Sequence, residues 1–208
     1  GYMKVFRYTT GPIMVNTYLV YDETGKGFIV DPGGYSKQLA DKIREENLDV
    51  EYIIITHGHG DHMGGVEEFK AEFPQLQVIA YCGEKDFLEN ADLNSSIELF
   101  GRPITVEADR FVKDKEKLKV GNMELTFVFT PGHTPGGMSV IMDGYVFSGD
   151  TLFRSSIGRT DFYGGDFGAL IKSVRERLFV LPDDTVVLPG HMEKTTIGYE
   201  KENNPFVR

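Results

Sequence analysis

The chain has no tryptophan and one cysteine, Cys82. A single thiol cannot close an internal disulfide, so nothing in the sequence marks an oxidising compartment. Cys82 follows Val78-Ile79-Ala80 and reads as a small packed thiol. Positive charge is short as well: 22 Lys and Arg face 32 Asp and Glu, for a formal net charge of -10. No basic stripe stands out, which argues against a nucleic-acid surface. No apolar run approaches a membrane span, and Gly1-Tyr2-Met3-Lys4-Val5-Phe6 lacks the apolar core of a signal peptide. The cytoplasm is therefore the expected location, with neither membrane nor nucleic acid as partner. What remains is ordinary globular material, 40% hydrophobic and 26% charged. At 208 residues, one domain spanning 1–208 is the simplest expectation.

Apolar runs and turn residues outline the elements. Ile13–Tyr21 reads as a strand, Asp22–Lys26 as a turn and Gly27–Val30 as the returning strand. Ser36 is a plausible N-cap for a helix from Lys37 to about Asn47, with Leu39, Ile43 and Leu48 on its buried face. Tyr52–Thr56 reads as a buried strand. A helix over about Val66–Phe73, a strand Gln77–Tyr81 and a helix starting near Glu84 follow. Residues 92–122 show no clear period, and Asp114–Lys119 reads as a solvated turn. Strands resume at Met123–Thr130, Ser139–Met142 and Gly144–Ser148. A helix over about Asp166–Phe179 and a strand at Thr185–Leu188 complete the list. This alternation predicts an α/β sandwich of two sheets covered on their outer faces by helices.

Histidine is scarce, five in all, and three of the five lie with an aspartate in His57-Gly58-His59-Gly60-Asp61-His62. The stretch follows the apolar run Ile53-Ile54-Ile55, and its glycines permit a tight turn. The other two histidines repeat the arrangement: a strand then Pro131-Gly132-His133, and a strand then Pro189-Gly190-His191. Val146-Phe147-Ser148 leads likewise into Gly149-Asp150. Imidazoles and carboxylates converging from strand ends are how proteins hold zinc or iron. Seven donors exceed what one tetrahedral zinc accepts. Two ions would use them all, His57, His59 and His133 on the first and Asp61, His62 and His191 on the second. Asp150 and a water or hydroxide would bridge them, making Asp61 and Asp150 the carboxylates expected to act in catalysis.

The His-x-His-x-Asp-His run at 57–62, followed in order by His133, Asp150 and His191, resembles the metallo-β-lactamase superfamily. That resemblance implies an αββα sandwich of two mixed sheets with a dinuclear site at the sheet edge. Ser148-Gly149-Asp150-Thr151-Leu152-Phe153, Gly158-Arg159-Thr160-Asp161-Phe162 and Leu188-Pro189-Gly190-His191 are similar to the single-domain relatives of hydroxyacylglutathione hydrolase, glyoxalase II. Asp150 stands where some β-lactamases of the superfamily carry a metal-binding cysteine, and Cys82 lies outside every ligand segment. The resemblance implies hydrolysis of a thioester, such as the 2-hydroxyacyl thioester S-lactoylglutathione. It also implies a carboxylate-gripping role for Arg159, with a salt bridge to Asp161 as the competing reading. Arg154 is a second candidate for substrate binding, and Tyr163 a candidate proton donor. Zinc is the first expectation for the two divalent ions, with iron or manganese as alternatives. The competing activity is that of the mononuclear-iron glutathione persulfide dioxygenases, which share the Gly-Arg-Thr-Asp-Phe segment.

Overall fold

A computed structural model describes residues 2–208. Two six-stranded mixed sheets face each other. The first carries, in spatial order, β1 (Met3–Thr10), β2 (Val15–Asp22), β3 (Lys26–Val30), β4 (Asp49–Ile54), β5 (Gln77–Tyr81) and β6 (Arg110–Val112). Its first three strands are antiparallel neighbours and the rest are parallel. The second is built from β7 (Lys117–Val120), β8 (Met123–Phe129), β9 (Met138–Met142) and β10 (Tyr145–Gly149). A short hairpin, β11 (Leu152–Phe153) and β12 (Ser156–Ile157), stands apart. The chain then returns through β13 (Val186–Pro189), parallel to β10, and β14 (Thr195–Thr196) at the edge.

Side-chain alternation explains the layering. In β2 every residue is buried. Tyr18 and Val20 face the second sheet, where they join Phe28, Ile54, Phe127, Val140 and Phe147. Leu19 points the other way with Ile29, Ile53 and Val78, onto the helices that carry Leu39, Ile43, Val66 and Phe69. Those helices are α1 (Lys37–Glu45), capped by Ser36, and α2 (Val66–Glu72). A period of two on a sheet buried on both faces reads as a continuous apolar run, as Tyr18–Tyr21 do in this strand. The outer face of the second sheet packs Val146 and Val187 against Val174, Leu178 and Ile197. The αββα expectation is met.

Three local expectations differ. The strand expected from Ile13 begins at Val15, because Gly11–Met14 form an exposed turn with Met14 in the left-handed region. Of Asp114–Lys119, expected to be a solvated turn, Lys117–Lys119 instead belong to strand β7, paired with β8. Asp114 also leaves the expected role: it accepts the Phe129 N–H and pairs with Arg177. Cys82 is exposed rather than packed. β5 ends at Tyr81, and the 3-10 turn Cys82–Glu84 that follows turns Glu84 inward instead. Within residues 92–122, which show no period in sequence, a short helix Ser96–Phe100 follows Asn94, whose side-chain amide donates to the carbonyls of Phe87 and Ile104. No described helix is long and apolar enough to cross a membrane.

Candidate metal centre

Four strand ends deliver the polar side chains. β4 runs into Thr56-His57 and a tight 3-10 turn at Gly60–His62. β8, β10 and β13 are followed by or end beside His133, Asp150 and His191. All seven side chains meet. Asp150 Oδ2 lies 3.3 Å from His133 Nε2, 3.4 Å from His191 Nε2 and 3.6 Å from His57 Nε2. Its Oδ1 is 3.2 Å from His62 Nε2. Asp61 Oδ2 is 3.6 Å from both His62 Nε2 and His191 Nε2. His59 Nδ1 approaches His133 Nε2 to 3.0 Å. Two groups could each hold an ion: His57, His59 and His133, and Asp61, His62, Asp150 and His191. Asp150 touches imidazoles of both.

The donor chemistry fits divalent cations. Six buried side-chain polar atoms among the described residues lack a hydrogen-bond partner, and five belong here: His57 Nε2, His59 Nε2, Asp61 Oδ1, His62 Nε2 and Asp150 Oδ1. An unsatisfied buried polar group costs about 1–3 kcal/mol. Five in one place mark a site built for something other than protein contacts. Imidazole and carboxylate together suit zinc, iron and manganese.

Partners behind the rings fix their orientation. His133 Nδ1 is 2.7 Å from the Arg159 carbonyl oxygen, which only accepts, so Nδ1 carries the proton and Nε2 offers its lone pair inward. His62 Nδ1 is 2.9 Å from Asp31 Oδ2, and His57 Nδ1 is 3.1 Å from Thr56 Oγ1. Asp31 also accepts from the Thr56 N–H and hydroxyl, at 2.8 and 2.6 Å. The close passage of Arg159 requires Gly158, where a Cβ would run into the Asp150 backbone carbonyl. The sequence reading assigned no role to Asp31, Thr56 or the Arg159 carbonyl. Asp31 carried the usable signal, a carboxylate at the end of an apolar strand.

The electrostatics divide along the same line as the two groups. Burial, then the neighbouring His62, holds His57 well below its ordinary value, and burial with His133 pushes His59 down to about 3. In the other group burial again disfavours charge, but carboxylates prevail. Asp150, Asp61 and Asp31 hold His62 well above its usual range, and Asp150 and Asp61 raise His191 to about 9. Burial pushes Asp150 up, yet His62 and His57 hold it well below the ordinary carboxylate range. Without cations, His57 and His59 are thus neutral, and the other group is an imidazolium–carboxylate cluster.

The donors floor a cleft of about 340 Å³ whose walls include Phe153, Ile157, Phe162 and Arg159. Arg159 forms a two-pronged ion pair with Asp161, Nε and Nη2 each at 2.7 Å, and its guanidinium lies 4.2 Å from the Phe162 ring centre. The other two substrate candidates do not line this cleft. The β11–β12 hairpin turns Phe153 toward it and Arg154 away, over the Tyr199 ring and 4.0 Å from Glu193. Tyr163 is 66% exposed and stacks on Phe87 outside the cleft.

A paired-sheet sandwich with histidines and aspartates gathered at its strand ends defines a class of metal-dependent hydrolases. Residues 10–191 match the model of the metallo-β-lactamase superfamily, and the chain belongs to that family. It is 37% identical over 200 residues to the hydroxyacylglutathione hydrolase GloC of Haemophilus influenzae, covering 92% of each chain. The crystal structure of the BLEG-1 B3 metallo-β-lactamase is similar with a TM-score of 0.92 at 38% identity, covering 98% of this chain and 99% of that one. A structure of TTHA1623 in a di-iron-bound form gives 0.86 at 35% identity, over 97% and 100% of the two chains.

Proposed function

We propose that this protein hydrolyses thioesters with the aid of two divalent metal ions. His57, His59 and His133 would hold one, Asp61, His62 and His191 the other, and Asp150 both. Ions so held act as Lewis acids and bring the pKa of water toward neutrality. The observation that carries the reading is the complete allotment of imidazoles: all five histidines face the cluster. None is left to protonate a leaving group. An amide needs that proton, whereas a thiol of pKa about 8.5 departs as thiolate without it. The hydroxyacylglutathione hydrolase name of the Haemophilus relative agrees with this choice. Arg159, on the cleft wall, would exchange Asp161 for a substrate carboxylate, since an exposed ion pair is worth only about 0–1 kcal/mol.

The test is metal-loaded protein assayed on S-lactoylglutathione, a β-lactam and glutathione persulfide in parallel. The β-lactam is included because of the similarity to BLEG-1. Thioester cleavage with two ions per chain is expected. Cleavage of the β-lactam alone, or oxygen uptake on the persulfide with one iron per chain, would overturn the reading.

The protonation pattern gives a second check. His62 and His191 carry protons at neutral pH in the metal-free protein, and ligation requires neutral rings. Metal uptake should therefore release up to two protons per chain. Affinity should climb as pH rises toward about 9, because His191 is held protonated up to there. Calorimetry in buffers of different ionisation enthalpy reads the count. Uptake that releases no proton and shows no pH dependence would contradict this pattern.

A further inference from the structure

The wall of the cleft is unlike its floor. Ile13, Leu99, Phe153, Ile157, Phe162 and Met192 come from five separate segments and line the cleft together with the donor cluster. Arg159 is the one lysine or arginine among the lining residues, already bound at both prongs by Asp161. Apolar side chains are also exposed at Met192 and beside Ile13 and near Leu99 in sequence. Met14, Ile97 and Met192 are 68%, 56% and 54% exposed, from the β1–β2 turn, the short helix Ser96–Phe100 and the turn after His191. Met14 and Met192 sit at positive φ, 57° and 69°. That conformation is uncommon for a long side chain and costs about 1 kcal/mol or more. Met192, which lines the cleft, is thus presented at some cost to the fold. Methionine is flexible and polarisable, and suits apolar ligands of varied shape.

We infer that the preferred substrates are thioesters with a hydrocarbon acyl chain of medium length, rather than short 2-hydroxyacyl groups on a multiply charged thiol. The inference rests on the thioester reading above. It follows from continuity: a scissile carbonyl placed over His59, Asp61, His133, Asp150 and His191 leaves the attached chain against Ile13, Leu99 and Met192. The reaction is plain hydrolysis. Water adds to the carbonyl carbon, the C–S bond breaks, and carboxylate, thiol and one proton leave; no oxidant or reductant enters. Glutathione brings two carboxylates and an ammonium group, and this wall offers the two carboxylates a single cation, Arg159.

The experiment uses the full metal-loaded chain on S-acetyl, S-butanoyl, S-hexanoyl and S-octanoyl N-acetylcysteamine, with S-lactoylglutathione alongside, following released thiol. Each methylene taken up by the wall should raise kcat/KM about threefold to fourfold. Hexanoyl should exceed lactoylglutathione. Ile13→Ser and Met192→Ser, at positions 38% and 54% exposed in the fold, should flatten the rise, mainly through KM. A flat or falling series beside efficient lactoylglutathione cleavage overturns this inference and leaves the thioester reading standing. No cleavage of any thioester overturns both.

Discussion

Asp150→Asn is expected to lower kcat/KM on the order of 10³-fold, the scale lost when one preorganised electrostatic element leaves an active site. The carboxylate is buried, and its two oxygens are shared out among four imidazoles, Oδ1 toward His62 and Oδ2 toward His57, His133 and His191. Asparagine keeps the shape but removes the charge and replaces one acceptor with an N–H₂ donor. That donor would face ring nitrogens, or cations, that require an electron pair. His62 and His191 also lose the anion that does most to keep them protonated in the metal-free state. Metal per chain, measured by elemental analysis, should fall together with turnover. A variant that keeps its full metal content and works within tenfold of the parent would show that Asp150 does not join the two groups.

Glu84→Ala is expected to destabilise the protein by about 3 kcal/mol or more and to weaken metal binding roughly 10–100-fold. Glu84 makes no hydrogen bond or ion pair with any of the seven candidate metal ligands. It is 1% exposed, and its carboxylate accepts from the Gly58 N–H at 2.9 Å, the Thr134 hydroxyl at 2.5 Å and the Gly136 N–H at 3.0 Å. Gly58 lies between His57 and His59, and Thr134 follows His133. One buried side chain therefore ties together the two loops that supply the first group. Burial pushes the Glu84 carboxyl above its ordinary value, while Thr134 and the Gly58 and Gly136 amides pull it back, which is how the charge is kept inside. Alanine leaves three donors unsatisfied at about 1 kcal/mol or more each. For a chain of this size that is a fall in Tm of roughly 6–12 °C. Glu84→Gln separates shape from charge: it fills the space but turns an N–H₂ toward donors, so part of the loss should remain. Thermal melting and chelator competition measure the two effects. Unchanged metal affinity in Glu84→Ala would reduce this residue to a packing role.

Much of the site could be read from one chain because its grammar is local. An apolar β-branched run followed by a glycine turn and an imidazole or carboxylate recurs at Ile53–His62, Leu125–His133, Val146–Asp150 and Val186–His191. A strand end with a tight turn presents its next polar side chain at the sheet edge wherever the sheet lies, so donor identity survives ignorance of the fold. The buried strands were legible for the same reason, since apolar period and turn residues act over a few positions. The segment from 90 to 109 lacked such a period, and β7 was hidden by its charges: the exposed lysines of Lys117-Leu118-Lys119-Val120 alternate with Leu118 and Val120, on one face of an edge strand.

Sequence alone determined the seven polar side chains that converge, their order along the chain and the two-sheet architecture that gathers them. Tertiary structure alone decided what surrounds them: Glu84 as the clamp, the Arg159 carbonyl behind His133, Arg154 and Tyr163 turned away from the cleft, and the apolar wall. The physical reason is that these roles run through backbone atoms or through contacts between distant segments. Every residue has a backbone carbonyl and all but proline an N–H, so a bond donated by the Gly136 amide or accepted by the Arg159 carbonyl has no signature in residue type. Ile13, Leu99 and Met192 line one cleft only when two separate turns and the short helix Ser96–Phe100 are packed around the same strand ends.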